Sequence, residues 1–138
     1  SDAVNTASRI ENLTKYYHAG ILLSEITLQL IGHPEKFHLR YLGKVQVKGK
    51  ISSIGIHECF SSNSEEQIIK KEKTLSAFNE GMYAYLNKSF EEAVNAFQSV
   101  TNENPEDQTA EFFLENATRY FNKGVPENWS GVLEMASK

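Results

Sequence analysis

The sequence predicts an α+β chain whose first part mixes helices with strands and whose second part is entirely helical. Between residues 37 and 60, apolar and polar side chains alternate, which is typical of strands. On both sides of this stretch, apolar residues recur at three- and four-residue steps, which is typical of amphipathic helices. The polar loop of residues 61–64 separates the two parts, so we predict a domain of residues 1–61 and a helical domain of residues 62–138.

Composition and charge limit the possible functions. The chain has 138 residues, of which 40% are hydrophobic and 23% charged, so it can fold around a core. No apolar run approaches the roughly 20 residues of a membrane helix. The single cysteine, Cys59, cannot form an intrachain disulfide, which indicates a reducing, cytoplasmic setting, and we interpret it as a small buried residue. Residues 1–60 carry a net charge of +2 and residues 61–138 one of −6, which indicates modules with different partners. The total of −4 argues against nonspecific nucleic-acid binding.

The first predicted helix runs from Asp2 to about Tyr17, and Gly20 is expected to supply the left-handed residue that closes it. A short buried strand follows at residues 21–23. Ser24 then precedes a second helix that ends near Gly32.

A β-hairpin follows the second helix. Its predicted strands are residues 37–47 and 51–60, and residues 48–50, Lys-Gly-Lys, form the turn between them.

Three helices are predicted after the loop, at about residues 65–86, 90–102 and 107–122. The apolar residues expected to face inward on the last helix are Ala110, Phe113, Leu114, Ala117 and Phe121. A short tail around Trp129 completes the chain.

Part of this helical stretch resembles a tetratricopeptide unit of about 34 residues. The residues that carry the resemblance are Gly81, Phe90, Ala93, Phe97 and Pro105. Ala77 departs from it, because the unit usually has an aromatic residue there. A plain helical hairpin with the same packing is the alternative.

The first part resembles the C-terminal portion of a class III nucleotide cyclase catalytic domain. The matching motifs are DAVNTASRIE at residues 2–11 and VKGK at residues 47–50, with similar intervening segments at residues 21–25 and 37–47. Residues 127–132 resemble the end of bacterial cyclases that carry a helical repeat after this domain. The resemblance implies a partial ferredoxin-like catalytic domain (helix, strand, helix, β-hairpin) followed by a tetratricopeptide-like helical module.

The resemblance also implies site residues. In this family the Asn and Arg of the first motif lie one helical turn apart and point toward the nucleotide, and here they are Asn5 and Arg9. Asn5 would orient the ribose, and Arg9 would stabilise the charge that grows on the triphosphate, which suits a permanently ionised guanidinium. Lys48 would pair with the terminal phosphates, with Lys50 as the competing candidate if the turn is offset. Arg40 would be at most a supporting positive charge.

The resemblance places the metal-binding part of the domain upstream of these residues. We therefore expect no metal site and no cofactor in this chain, and a parent protein that needs two Mg or Mn ions held by upstream aspartates. The parent would convert ATP, favoured over GTP, to the cyclic 3′,5′-nucleotide and pyrophosphate in intracellular signalling, as a cytoplasmic or membrane-anchored homodimer. The isolated chain would be inactive.

An alternative function is a protein-interaction module that binds a protein partner through its helices. The four histidines do not have the paired spacing of a zinc site, and His57 with Cys59 lacks a second pair, so surface or strand histidines are the simpler interpretation.

Overall fold

The computed structural model describes residues 13–47 and 52–135, and it is a mixed α+β structure. These residues divide into two compact units. The first comprises the described residues up to Ser62 together with those from Val132 onward, and the second comprises Asn63–Gly131.

The first unit is built on a four-stranded sheet in the order β1-β3-β2-β4. Its strands are β1 (Leu22–Ser24), β2 (Leu39–Val47), β3 (Ser53–Cys59) and β4 (Leu133–Met135). β3 pairs antiparallel with both β1 and β2, whereas β4 pairs parallel with β2. The predicted hairpin strands are therefore confirmed, and β4 forms where the sequence indicates only a tail.

A β-bulge interrupts the pairing of β2 with β3. Tyr41 lies opposite His57 and Lys44 lies opposite Gly55, so β2 uses one residue more than β3 over this interval. Gly43 has a φ of 94°, a left-handed conformation that glycine adopts without a Cβ penalty. Because of the bulge, Leu42 and Val45 are both buried although they are three positions apart: Leu42 is 2% exposed and Val45 is fully buried.

Short helical elements flank the strands of this unit. Residues 13–17 are helical, α1 spans Glu25–Leu30, and a single 3₁₀ turn spans Pro34–Lys36. The predicted cap of α1 is confirmed, because the Ser24 hydroxyl accepts a hydrogen bond from the Thr27 amide at 3.1 Å.

The end of the helix at residues 13–17 differs from the prediction. His18, with a φ of 57°, takes the left-handed position that was assigned to Gly20. The Ala19 amide then donates to the Thr14 carbonyl at 3.0 Å, which closes the helix two residues earlier than a left-handed Gly20 would.

The second unit consists of four helices: α2 (Glu65–Lys73), α3 (Leu75–Leu86), α4 (Phe90–Glu103) and α5 (Gln108–Lys123). The sequence predicts one helix where α2 and α3 lie. The break falls at Thr74, whose hydroxyl donates to the Lys70 carbonyl at 2.9 Å, a side-chain bond that bends helices. Asp107 caps α5 by accepting from the Ala110 amide at 3.1 Å.

Aromatic packing forms the core of the helical unit. Gly81 on α3 lets Phe97 on α4 approach so closely that a Cβ at Gly81 would lie 2.7 Å from its ring. Phe78 and Phe97 are both fully buried, with ring centroids 5.6 Å apart. Phe113 and Ala117 of α5 are buried as predicted, but Phe121 is 53% exposed and the inward assignment for it is wrong.

Candidate functional site

The four residues that the sequence predicts to act on a nucleotide are Asn5, Arg9, Lys48 and Lys50. All four lie outside the residues that the structure describes. Their roles therefore stay predictions, and the described structure bears on them through the segments that continue from them: the helical residues 13–17, the end of β2 at Val47 and the start of β3.

The segment that follows Arg9 along the chain is anchored in the first unit. Leu13 and Tyr17, four residues apart on one helical face, are 9% and 3% exposed. Burial raises the pKa of the Tyr17 hydroxyl well above its usual range, and the adjacent Tyr16 raises it further. This apolar face fixes the position of the helix end after the predicted motif.

The β2–β3 hairpin is held by an ion pair inside the sheet. Arg40 and Glu58 lie directly opposite each other, and both side chains are almost completely buried. Arg40 donates from Nε at 2.8 Å and from Nη2 at 2.7 Å to the same Glu58 oxygen, Oε1. Arg40 also lies over the Phe60 ring, with its Cζ 5.8 Å from the ring centroid. A guanidinium buried in this way ties β2 to β3, and the interpretation of Arg40 as at most a supporting charge for phosphate stays a prediction.

The opposite face of the hairpin carries a group of titratable side chains that the sequence does not single out. The Tyr41 and His57 rings lie 5.1 Å apart. Burial raises the pKa of Tyr41 and lowers the pKa of His57, and the Glu25 carboxylate raises both. A Cβ at Gly55 would lie 2.5 Å from Glu25 Oε2, so this glycine leaves room for the carboxylate.

Burial of the His57 ring disfavours its protonated form. Its Nδ1 is buried and makes no hydrogen bond to any described residue. Cys59, two residues along the same strand, is buried with a free thiol, as the sequence predicts. Within residues 13–47 and 52–135, no three His, Cys, Asp or Glu side chains are grouped to hold a metal ion, so no chemical step can be assigned to a metal on these residues.

The described part of the chain also contains no helix that is both long enough and apolar enough to cross a bilayer.

Sequence comparison relates the chain to proteins named adenylate cyclase. Over 115 residues, 83% of its length, it is 35% identical to "Adenylate cyclase, terminal-differentiation specific" of Dictyostelium discoideum. Over 58 residues, 41% of its length, it is 52% identical to an adenylate cyclase of Anabaena cylindrica. The chain spans only 5% and 12% of these two relatives. No protein family model and no solved structure matches it.

Proposed function

We propose that this chain is the C-terminal portion of a class III nucleotide cyclase catalytic domain, followed by a tetratricopeptide-like helical module. The observation that carries the proposal is the relationship to proteins named adenylate cyclase, which extends over 83% of the chain. It is supported by the agreement between the order of elements expected from the resemblance (helix, strand, helix, hairpin) and the described elements from residue 13 to Cys59.

The parent protein converts ATP, in preference to GTP, to the cyclic 3′,5′-nucleotide and pyrophosphate. Asn5 orients the ribose and Arg9 stabilises the negative charge that develops on the triphosphate, because a guanidinium offers a fork of permanent donors. Lys48, with Lys50 as the competing candidate, binds the terminal phosphates. β2 ends at Val47 and β3 starts at Ser53, so these two strands flank the segment that contains the lysine pair.

The metal ions of the reaction are held by aspartates of another part of the parent catalytic domain. The active site forms between two catalytic domains of a cytoplasmic homodimer, with the metal aspartates from one domain and the Asn–Arg pair from the other. The isolated chain makes no cyclic nucleotide.

This proposal is tested by measuring cyclic AMP formation with ATP and Mn²⁺ by three samples: the longer parent, the isolated chain, and two co-expressed parent variants. One of these variants lacks the metal aspartates and the other carries Arg9→Ala. The account expects activity from the parent and from the co-expressed pair, and none from the chain. A parent that forms no cyclic AMP overturns the cyclase assignment. An active parent with an inactive co-expressed pair overturns the proposal that the active site is shared between two catalytic domains.

A second function, protein interaction by the helical unit, is favoured by a separate observation. Tyr83 on α3 is 75% exposed beside an open groove, whereas the other large aromatic residues of α3, Phe78 and Tyr85, are buried. Exposed aromatic residues beside a groove are typical of protein-binding surfaces. The test is chemical-shift mapping of the helical unit with added peptides. Shifts that cluster at the groove support this role, and shifts absent at every peptide concentration contradict it.

A further inference from the structure

The groove on the helical unit is large enough for several side chains of a bound segment. Its volume is about 770 Å³, and it lies along the surfaces of α3 and α4. Leu75, Ala84 and Ala96 contribute apolar surface, and the two alanines leave room above them. A polypeptide segment can approach the helix backbones closely there, because small side chains do not fill the space.

The charge of the groove is of one sign. Among the described residues, those that line it include the carboxylates of Glu72, Glu80 and Glu92 and no basic side chain. Two of the lysines near the end of α2 contact acids outside the groove: Lys70 lies 3.3 Å from Glu66, and Lys73 lies 3.4 Å from Glu103. A cationic ligand would therefore meet the carboxylates of Glu80 and Glu92 at this groove.

The aromatic and apolar surfaces complete the match to basic side chains. Lysine and arginine have long alkyl stems that pack on apolar surface while their charged ends stay near carboxylates. The exposed ring of Tyr83 offers a face on which a guanidinium can stack. An acidic segment would be repelled by the groove carboxylates. A purely apolar segment would cover these carboxylates without offering them a counter-charge.

We infer that this groove binds a basic, arginine- or lysine-rich peptide segment of a partner protein. The inference rests on the proposed interaction role of the helical unit and adds the chemistry of the partner. Glu80 and Glu92 pair with the cationic groups, Tyr83 stacks on one of them, and the small residues receive the backbone of the segment.

The experiment uses the full chain and three fluorescein-labelled probes: octa-arginine, octa-glutamate and a neutral leucine–serine octapeptide. Binding is followed by fluorescence anisotropy, and the site is mapped by chemical-shift changes. The test variant is Glu80→Gln with Glu92→Gln. Its matched control, Glu111→Gln with Glu115→Gln on α5, makes the same change of net charge away from the groove residues. Tyr83→Ala and Tyr83→Phe separate the ring from the hydroxyl.

The expected result is saturable octa-arginine binding that shifts the signals of Tyr83, Ala84 and Ala96. The affinity weakens at high salt. It falls about tenfold in the test variant but less than twofold in the control. Tyr83→Phe retains the affinity and Tyr83→Ala reduces it. An equal loss of octa-arginine affinity in both double variants would show that net charge alone attracts the peptide, and it overturns the inference. Groove binding by octa-glutamate or the neutral peptide overturns the basic partner while the interaction role stands. If no probe shifts the signals of the groove residues, both the basic-partner inference and the interaction role of the helical unit are contradicted.

Discussion

The Arg40 guanidinium and the Glu58 carboxylate meet across β2 and β3 at 2.7 and 2.8 Å, with both side chains almost fully excluded from solvent. Two charges removed from water in this way depend on each other, because removing one side chain takes away the counter-charge that the other meets across the strands. The pair lies near the end of the two strands where Leu39 pairs with Cys59, and it ties β2 to β3 there.

Replacing one partner of this pair should destabilise the sheet strongly. We expect Glu58→Gln to lower the free energy of unfolding of the hairpin by about 3–5 kcal/mol, because the buried Arg40 guanidinium loses the negative charge of this carboxylate. The measurement is hydrogen exchange of the β3 amides. The double variant Arg40→Met with Glu58→Leu removes both charges and should recover most of the loss. A single variant as stable as the original chain would contradict the structural role of the pair.

Gly81→Ala should destabilise the helical unit. The added Cβ would lie 2.7–2.9 Å from three atoms of the fully buried Phe97 ring, which has no free space to move into. We expect a loss of about 1–3 kcal/mol, net of the better helix propensity of alanine. The single tryptophan, Trp129, lies 5.3 Å from the Phe90 ring and reports unfolding of this unit in urea. Ser99→Ala, on the exposed face of α4, should change the midpoint little.

The low pKa of His57 predicts a pH-dependent stability of the first unit. Burial holds this pKa below its ordinary value of 6.5, with the Glu25 carboxylate opposing the shift. The unfolded chain therefore binds a proton more readily than the folded one, so this contribution to stability is complete above about pH 6.5 and is lost as the pH falls through the folded-state pKa. His57→Gln should reduce the loss of β3 amide protection between pH 7.5 and 5.

The control for this prediction is His33→Gln, because His33 is an exposed histidine whose side chain contacts Glu35 at 3.1 Å. It should leave the pH dependence of β3 protection unchanged. The same pH dependence in both variants and in the original chain would show that His57 does not carry the effect.

Most of the fold follows from local patterns in the sequence. The alternation between residues 37 and 60 predicts β2 and β3, and the polar caps Ser24 and Asp107 mark the helix starts. These features are predictable because each depends on neighbours within a few residues, as strand alternation and helix capping do.

The features that escape prediction depend on distant contacts or on a choice between local alternatives. β4 has only three residues, too few to show a period, and forms by parallel pairing with a strand some ninety positions earlier. The bulge at Gly43 and the burial of the Arg40–Glu58 pair likewise depend on strand register. Phe121 has helical spacing that suits the core, yet it lies near the exposed end of α5.

The candidate site is predictable only through family resemblance, because Asn5, Arg9 and Lys48 taken alone are ordinary polar residues with no spacing that indicates a nucleotide site. The acidic groove gives a weaker signal still. Glu72, Glu80 and Glu92 are dispersed along the sequence and lie on α2, α3 and α4, so they come together only when these three helices pack.

The central claim, that this chain supplies transition-state-stabilising residues to a cyclase, is tested most directly by Arg9→Ala in the longer parent. The measurement is the rate of cyclic AMP formation at saturating ATP, with Arg119→Ala on α5 as the control for loss of a guanidinium. The account predicts a fall in turnover of about a hundredfold or more for Arg9→Ala, at unchanged folding, and no more than a twofold change for the control. Unchanged turnover in a folded Arg9→Ala parent would contradict it.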